Sequence, residues 1–191
     1  MNKMRILFLG YSENETKLIS FLTSLGHEVK CSSDRINCLI EYDLVISFGY
    51  KYILSEQVLR TANRKPINLH ISLLPFNRGM HPNFWAHYDE TPSGITIHHI
   101  DEGIDTGEII FQRQIEFYSN ETTFRQTWER LKEEIEVLFM DEFNRLKTGG
   151  YQIKKQELQG TFHHKSDLPK DFLGWDCEIT AEIVRLKKIK F

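Results

Sequence analysis

Ile6-Leu7-Phe8-Leu9-Gly10 is a continuous apolar run closed by glycine. A strand with one face in water alternates apolar and polar residues. An unbroken run fits a strand covered on both faces, as in a parallel sheet. Asp43-Leu44-Val45-Ile46-Ser47-Phe48-Gly49 repeats the pattern. Between these runs Leu18, Ile19, Leu22 and Leu25 recur at helical spacing, with Ser12 as the expected N-cap and Gly26 at the C-cap position. Residues 27–31 read as a second strand, residues 55–60 as a short helix, and Pro66-Ile67-Asn68-Leu69-His70 as the start of a fourth strand. Strand, helix, strand, strand, helix, strand predicts an open α/β sheet. Ligands of such sheets bind beyond the carboxyl ends of the strands. Ser47, Asn68 and His70 stand at such ends.

Further along, residues 75–92 lack periodicity but carry Asn77, Arg78, His81, Asn83, Trp85 and His87, and read as a structured loop with a short helix over 83–88. Gly94-Ile95-Thr96-Ile97-His98-His99-Ile100 alternates and predicts a strand. A tight loop over 101–107 and a strand over 108–117 follow. Thr122 or Thr123 opens the longest helix, whose apolar stripe is Phe124, Trp128, Leu131, Ile135, Leu138, Phe139 and Phe143; Gly149-Gly150 ends it. The tail is expected to hold a short strand over 151–155, the segment Gly160-Thr161-Phe162-His163-His164-Lys165, and an amphipathic helix over 177–186.

Bulk properties narrow the class. A chain of 191 residues with 40% apolar and 27% charged residues suits one globular domain with a small appendage. A net charge of −3 argues against a dedicated nucleic-acid binder. Cys31, Cys38 and Cys177 are too widely spaced for a metal knuckle or redox pair and fit a reducing compartment. The first apolar run is too short for a signal peptide, and no stretch reaches membrane-spanning length. A cytoplasmic protein without a membrane anchor is expected.

Asn68 and His70 are two apart on one strand, so they share a face and can aim at one point. Acyl transfer to an amine must remove a proton from the attacking nitrogen, steady a developing oxyanion and protonate the leaving nitrogen. An imidazole serves the proton steps. An amide N–H steadies the oxyanion. Asp105, in Asp101-Glu102-Gly103-Ile104-Asp105-Thr106-Gly107, can orient the imidazole or a water and balance positive charge. The set needs no metal. Taken singly, each residue also has an ordinary reading: a turn Asn, a packed His, a turn Asp.

Asn68-Leu69-His70-Ile71-Ser72-Leu73-Leu74-Pro75 with Arg78-Gly79, then Gly94-Ile95-Thr96-Ile97-His98 and Asp101 through Ile110, closely resemble the signature of folate-dependent formyltransferases. The resemblance covers roughly a quarter of the chain, in order. It implies a Rossmann-like formyltransferase core with a mostly parallel sheet, a long C-terminal helix and a short hairpin-like tail. It implies a catalytic triad of Asn68, His70 and Asp105. The formyl donor would be 10-formyltetrahydrofolate, held by Phe48, Gly49, Tyr50 and Ile53 and by Asp101, Gly103 and Ile104. It places the catalytic domain at residues 1–150 and a tail at 151–191 that can join a homodimer through Ile153, Phe162, Phe172, Leu173, Trp175 and Ile179; the alternative is that these pack on their own domain.

Three acceptor branches follow from the resemblance. Methionyl-tRNA formyltransferases usually carry a further C-terminal domain and must grip RNA, which a short acidic chain does not suit. Glycinamide ribonucleotide formyltransferases bind phosphate at a turn after the first strand; here Gly10-Tyr11-Ser12-Glu13-Asn14-Glu15 has two acids that repel it. The loop from Phe76 to Trp85 and Gly160-Thr161-Phe162-His163 look most like enzymes that formylate nucleotide-linked 3- or 4-amino deoxysugars, often dTDP-linked, for O-antigen and related surface glycans. Lys51 and Arg78 could meet the pyrophosphate, and Phe76, Trp85 or Tyr50 could stack on a base or sugar. Asn77, Gly79, His81 and Asn83 complete the expected substrate loop. Another amine acceptor, or a folate- or nucleotide-binding module that transfers nothing, stay open as alternatives. Ile71 replaces the commoner Pro, and the segment 32–42 is short for the family, so a helix there is expected to be reduced or absent.

Overall fold

A computed structural model describes residues 3–157 and 159–189. Six strands form one sheet: β1 (Arg5–Gly10), β2 (Glu28–Ser32), β3 (Leu44–Phe48), β4 (Ile67–His70), β6 (Gly94–His99) and β7 (Ile109–Gln114), in the order β2-β1-β3-β4-β6-β7. The first four run parallel; β6 and β7 are antiparallel. β5 (Arg78–Gly79) and β8 (Phe162–His163) form a separate parallel pair. The helices are α1 (Leu18–Ser24), α2 (Glu56–Leu59), α3 (Pro82–Tyr88), α4 (Phe124–Thr148) and α5 (Ile179–Ile189).

The apolar runs are covered on both sides, as their composition requires. Ile6, Phe8, Leu44, Ile46, Ile67, Leu69, Ile95 and Ile97 pack against Leu18, Ile19 and Leu22 of α1 and Leu131, Ile135, Phe139 and Phe143 of α4. Leu7, Leu9 and Val45 turn the other way, onto Leu39, Leu54 and Val58. Leu39 belongs to the segment between β2 and β3, which contains no helix, as its shortness led us to expect. A third cluster joins Phe84, Trp85 and Tyr88 of α3, Phe124, and Ile183 and Leu186 of α5, with Phe172 and Trp175 against it. α4 starts with a reciprocal cap between Thr123 and Gln126 and ends where Gly149 turns left-handed.

The structure corrects several local expectations. Ser12 does not cap α1; it is paired with Glu15 in a preceding turn, and Lys17 stands at the N-cap without a side-chain bond. Trp128 lies on the apolar stripe of α4 but outside its buried core. The strand expected over 108–117 narrows to β7, and that over 151–155 reduces to one bridge between Ile109 and Lys154. Among the described residues the tail makes no hairpin of its own, because its strand β8 pairs with β5, far earlier in the chain. Of the side chains expected at a dimer interface, Phe172, Trp175 and Ile179 pack against the chain's own third cluster, whereas Ile153, Phe162 and Leu173 stay exposed. Among the described residues no helix is long and apolar enough to cross a membrane.

Candidate active site

Asn68 and His70 point off the same face of β4. Across the antiparallel register they sit opposite His98 and Thr96 of β6. The alternation that buries Ile95 and Ile97 against α4 puts His98 on the face of Asn68 and His70. Asp105 then enters from the loop after β6. Its backbone is left-handed (φ 54°), a conformation Asp tolerates better than most residues. Asp101 shapes that loop: its Oδ1 accepts from the Gly103 N–H at 3.1 Å and the Thr106 hydroxyl at 2.6 Å. Gln156 of the tail clamps the loop by donating to the carbonyls of Asp105 and Gly107, at 2.9 and 2.8 Å.

The three residues expected to act together do converge, and Asp105 is the point of convergence. Its Oδ1 accepts from the Asn68 amide at 3.1 Å and lies 3.4 Å from Nε2 of His98. Its Oδ2 accepts from the Gly79 N–H at 2.9 Å and lies 3.7 Å from Nδ1 of His70. Burial of the Asp105 carboxyl would raise its pKa. The positive charge that the imidazoles of His70 and His98 carry when protonated, together with the Gly79 N–H, outweighs that effect and holds it well below the ordinary carboxylate range. Asp105 is therefore an anion at neutral pH.

Hydrogen bonds identify the tautomers. Nε2 of His70 lies 3.0 Å from the Asn77 carbonyl oxygen, which can only accept, so Nε2 carries a proton. Nδ1 of neutral His70 is then unprotonated and faces Asp105. In His98, Nδ1 lies 2.7 Å from the His99 carbonyl and so carries the proton; Nε2 accepts from the Asn68 amide at 3.2 Å. His98 stood in the sequence as a strand residue within the formyltransferase-like signature, with no role assigned to it. The signal for it was the period-2 alternation read across to Asn68, a pairing that needs the register.

The cluster borders a cleft of about 840 Å³ at the carboxyl ends of the strands. Of the residues expected around folate, Phe48, Gly49, Tyr50, Ile53, Asp101, Gly103 and Ile104 all line it. Ile53 and Ile104 are left exposed there. Of the expected substrate residues, Lys51, Gly79, His81 and Asn83 line the cleft. Four do not. Phe76 and Arg78 lie outside the lining. Asn77 is fully buried and holds Thr91 and Thr161. Trp85 packs behind the wall, stacked on His163 with ring centroids 3.9 Å apart. Asn83 touches the cleft; its Nδ2 donates to the Phe124 carbonyl and the Thr127 hydroxyl, while its Oδ1 has no partner among the described residues. His87 packs against Phe117 and Phe124, where burial pushes its pKa down to about 4. Further aromatic and cationic lining, beside Phe48, Tyr50 and Lys51, comes from Arg125, Trp128 and Lys132 of α4 and from Phe162, His164, Lys165 and Trp175 of the tail. Arg125 and Lys132 went unread because charges on an exposed helix face look like ordinary solvated residues, while Phe162 and Trp175 were expected at a dimer interface and Trp128 in the core.

Gly79 joins the cluster to the tail. At φ 88° it donates to Asp105 while pairing with His163, and a Cβ there would sit 2.3 Å from the His163 carbonyl oxygen. Gly79→Ala must part β5 from β8. Left-handed strain of about 1–2 kcal/mol and the clash together are expected to lower Tm by about 4–8 °C in a domain of this size. An unchanged thermal unfolding curve would show that the pairing is not required.

The sequence model of the Formyl transferase family matches residues 33–141. The formyltransferase PseJ from Anoxybacillus kamchatkensis, solved with UDP-4,6-dideoxy-4-formamido-L-AltNAc and tetrahydrofolate, is 38% identical with a TM-score of 0.85, over 92% of this chain and 96% of that one. The dTDP-4-amino-4,6-dideoxyglucose formyltransferase of Mycobacterium tuberculosis is 29% identical over 71% of this chain and 57% of its own length. A methionyl-tRNA formyltransferase of Fusobacterium nucleatum is 34% identical over 73% of this chain and 44% of its own length. The chain thus spans about half the length of these curated relatives. A match over more than half of the chain, on the segment that builds the Asn68–His70–Asp105 cluster, makes this protein a member of the formyl transferase family.

Proposed function

We propose that the protein moves a formyl group from 10-formyltetrahydrofolate to the amine of a nucleotide-linked 4-amino (or 3-amino) deoxysugar, a precursor of surface glycans. The observation that carries this reading is the gathering of Asn68, His70 and His98 around one ionised, partly buried carboxylate beside a cleft of about 840 Å³.

The wall formed by Phe48, Gly49, Tyr50, Ile53, Asp101, Gly103 and Ile104 suits a folate. Ile53 and Ile104, exposed on it, offer apolar contact to a heterocycle. The donor supplies an activated formyl carbon. The part of the cleft built by α4 and the tail suits a nucleoside diphosphate: Arg125, Lys132 and Lys165 for the phosphates, Trp128 or Trp175 for a base or sugar face.

The residues divide the work as follows. Nδ1 of His70 accepts the proton that the attacking amine loses as its nitrogen bonds to the formyl carbon. Asp105 steadies the resulting imidazolium. His70 returns the proton to the leaving nitrogen as the old carbon–nitrogen bond breaks, so protons balance over one turnover. Asn68 faces the carbonyl oxygen. Both of its amide protons are engaged, by Asp105 and by His98, so the oxyanion competes with one of these acceptors.

The acceptor is tested by incubating the protein with 10-formyltetrahydrofolate and UDP- or dTDP-linked 4-amino-4,6-dideoxysugars. Mass spectrometry then looks for the formyl increment, with glycinamide ribonucleotide and methionyl-tRNA as parallel acceptors. Formylation of an amino sugar is expected. Formylation of either parallel acceptor alone would move the assignment to that branch, and no product from any acceptor would favour a binding module.

A further inference from the structure

We infer that Thr161, in the tail, is a positioning residue that selects which nitrogen of His70 is free to accept a proton. This rests on the reading of His70 as the proton acceptor.

Thr161 Oγ1 accepts from the Asn77 N–H at 2.7 Å and donates to the Asn77 side-chain Oδ1 at 3.1 Å. The next residue, Arg78, donates its N–H to the Thr161 carbonyl at 3.1 Å. Asn77 is completely buried, and its Nδ2 donates to the Thr91 hydroxyl at 2.8 Å. Its backbone is left-handed, at φ 56°. Such a conformation persists where the surroundings over-determine it. Here Thr161 fixes both the backbone and the side chain of Asn77. The one polar group of Asn77 left over is its carbonyl oxygen, and that oxygen receives Nε2–H of His70 at 3.0 Å.

The consequence is a choice of tautomer. With the Asn77 carbonyl in place, the proton of neutral His70 stays on Nε2 and the lone pair of Nδ1 faces Asp105. If that carbonyl turns away, the proton can sit on Nδ1, hydrogen-bonded to the Asp105 carboxylate. The free lone pair then points at the buried loop, where no amine can reach it. One hydroxyl, 91 residues along the chain from the imidazole, therefore biases the base towards its useful form. It also explains why the tail strand pairs beside this loop: Gly160, next to Thr161, packs so closely on the Pro75 carbonyl that a Cβ there would lie 1.8 Å away.

The test compares Thr161→Val, which keeps the shape and removes the hydroxyl, with Thr161→Ser, which keeps the hydroxyl. The direct readout is the pair of side-chain 15N shifts of His70 in a long-range 1H–15N spectrum of the ligand-free protein, assigned by its absence in a His70→Gln variant. Wild type and Thr161→Ser should show protonated Nε2 and unprotonated Nδ1; Thr161→Val should show a mixture of tautomers. Formyl transfer should fall about 10–100-fold in kcat, by analogy with the loss seen when an outer partner that orients a metal-bound imidazole is removed. KM should change little, and Thr161→Ser should restore the rate. An unaltered His70 tautomer in Thr161→Val overturns the inference, whatever happens to the rate. A rate loss that Thr161→Ser shares to the same extent also overturns it. Should the valine variant not fold, Thr161→Ala is read in the same way. Because the spectrum needs no substrate, a wrong acceptor assignment would silence the rate assay and leave the tautomer result standing.

Discussion

Asp105→Asn is expected to lower kcat/KM for formyl transfer by about 10³-fold, or ~4 kcal/mol of barrier at about 1.36 kcal/mol per decade. The substitution keeps the shape of the side chain and removes its charge. That charge lies 3.7 Å from Nδ1 of His70 and can steady an imidazolium as it forms. An amide cannot do this and could instead donate to Nδ1, engaging the lone pair that must take the proton. A comparable change in a serine-protease triad costs about 10⁴-fold, because the imidazole is held in the wrong form. Stability should fall as well. Oδ1 and Oδ2 each accept one hydrogen bond, from Asn68 and from Gly79. Asparagine offers a single oxygen, so one donor faces an NH₂ group, at a cost of about 1–3 kcal/mol.

The pH dependence of that cost has a definite sign. The folded pKa of Asp105 lies below the unfolded one, so its contribution is present above the ordinary carboxylate pKa and is lost as the pH falls through the folded value. The stability gap between wild type and Asp105→Asn should be full at neutral pH and narrow below about pH 4. Urea unfolding at several pH values measures it. A gap that widens on acidification, or a variant that turns over within threefold of wild type, would remove Asp105 from the role given to it.

The sheet and the shared face of Asn68 and His70 were legible because both depend on short-range regularities; Asp105, 35 residues further along, was expected beside them only through the resemblance to formyltransferases. Unbroken apolar runs imply two covered faces, and an i, i+2 pair on a strand implies a shared face. The partners of that trio were not legible. His98 joins them only through the register of two antiparallel strands. β5 and β8 are two residues each, too short for any period, and their pairing is fixed by side chains such as Thr161 and by room at Gly79. The loop 76–85 misled in the opposite direction. Its polar and aromatic residues look like ligand contacts, yet Asn77 and Trp85 are buried and support the site from behind. The cationic wall escaped notice because Arg125, Lys132 and Lys165 are spread over two elements and none carries a motif.

His70→Ala should lower kcat about 10²–10⁴-fold, or about 3–5 kcal/mol, with little change in KM. No neighbour can take over. His98 is almost wholly buried, with Nδ1 bound to the His99 carbonyl and Nε2 to the Asn68 amide. Added imidazole should restore part of the rate, since the deletion leaves space beside the cleft and an acceptor at the Asn77 carbonyl. The decisive measurement combines the two substitutions. If Asp105 acts through the imidazole, removing its charge matters only while the imidazole is present. The double variant should then be little slower than His70→Ala alone, far from the product of the two losses. Multiplying losses would mean that Asp105 touches the reacting groups independently of His70. That would contradict the arrangement seen here, where one carboxylate oxygen is shared by Gly79 and His70 and the other by Asn68 and His98.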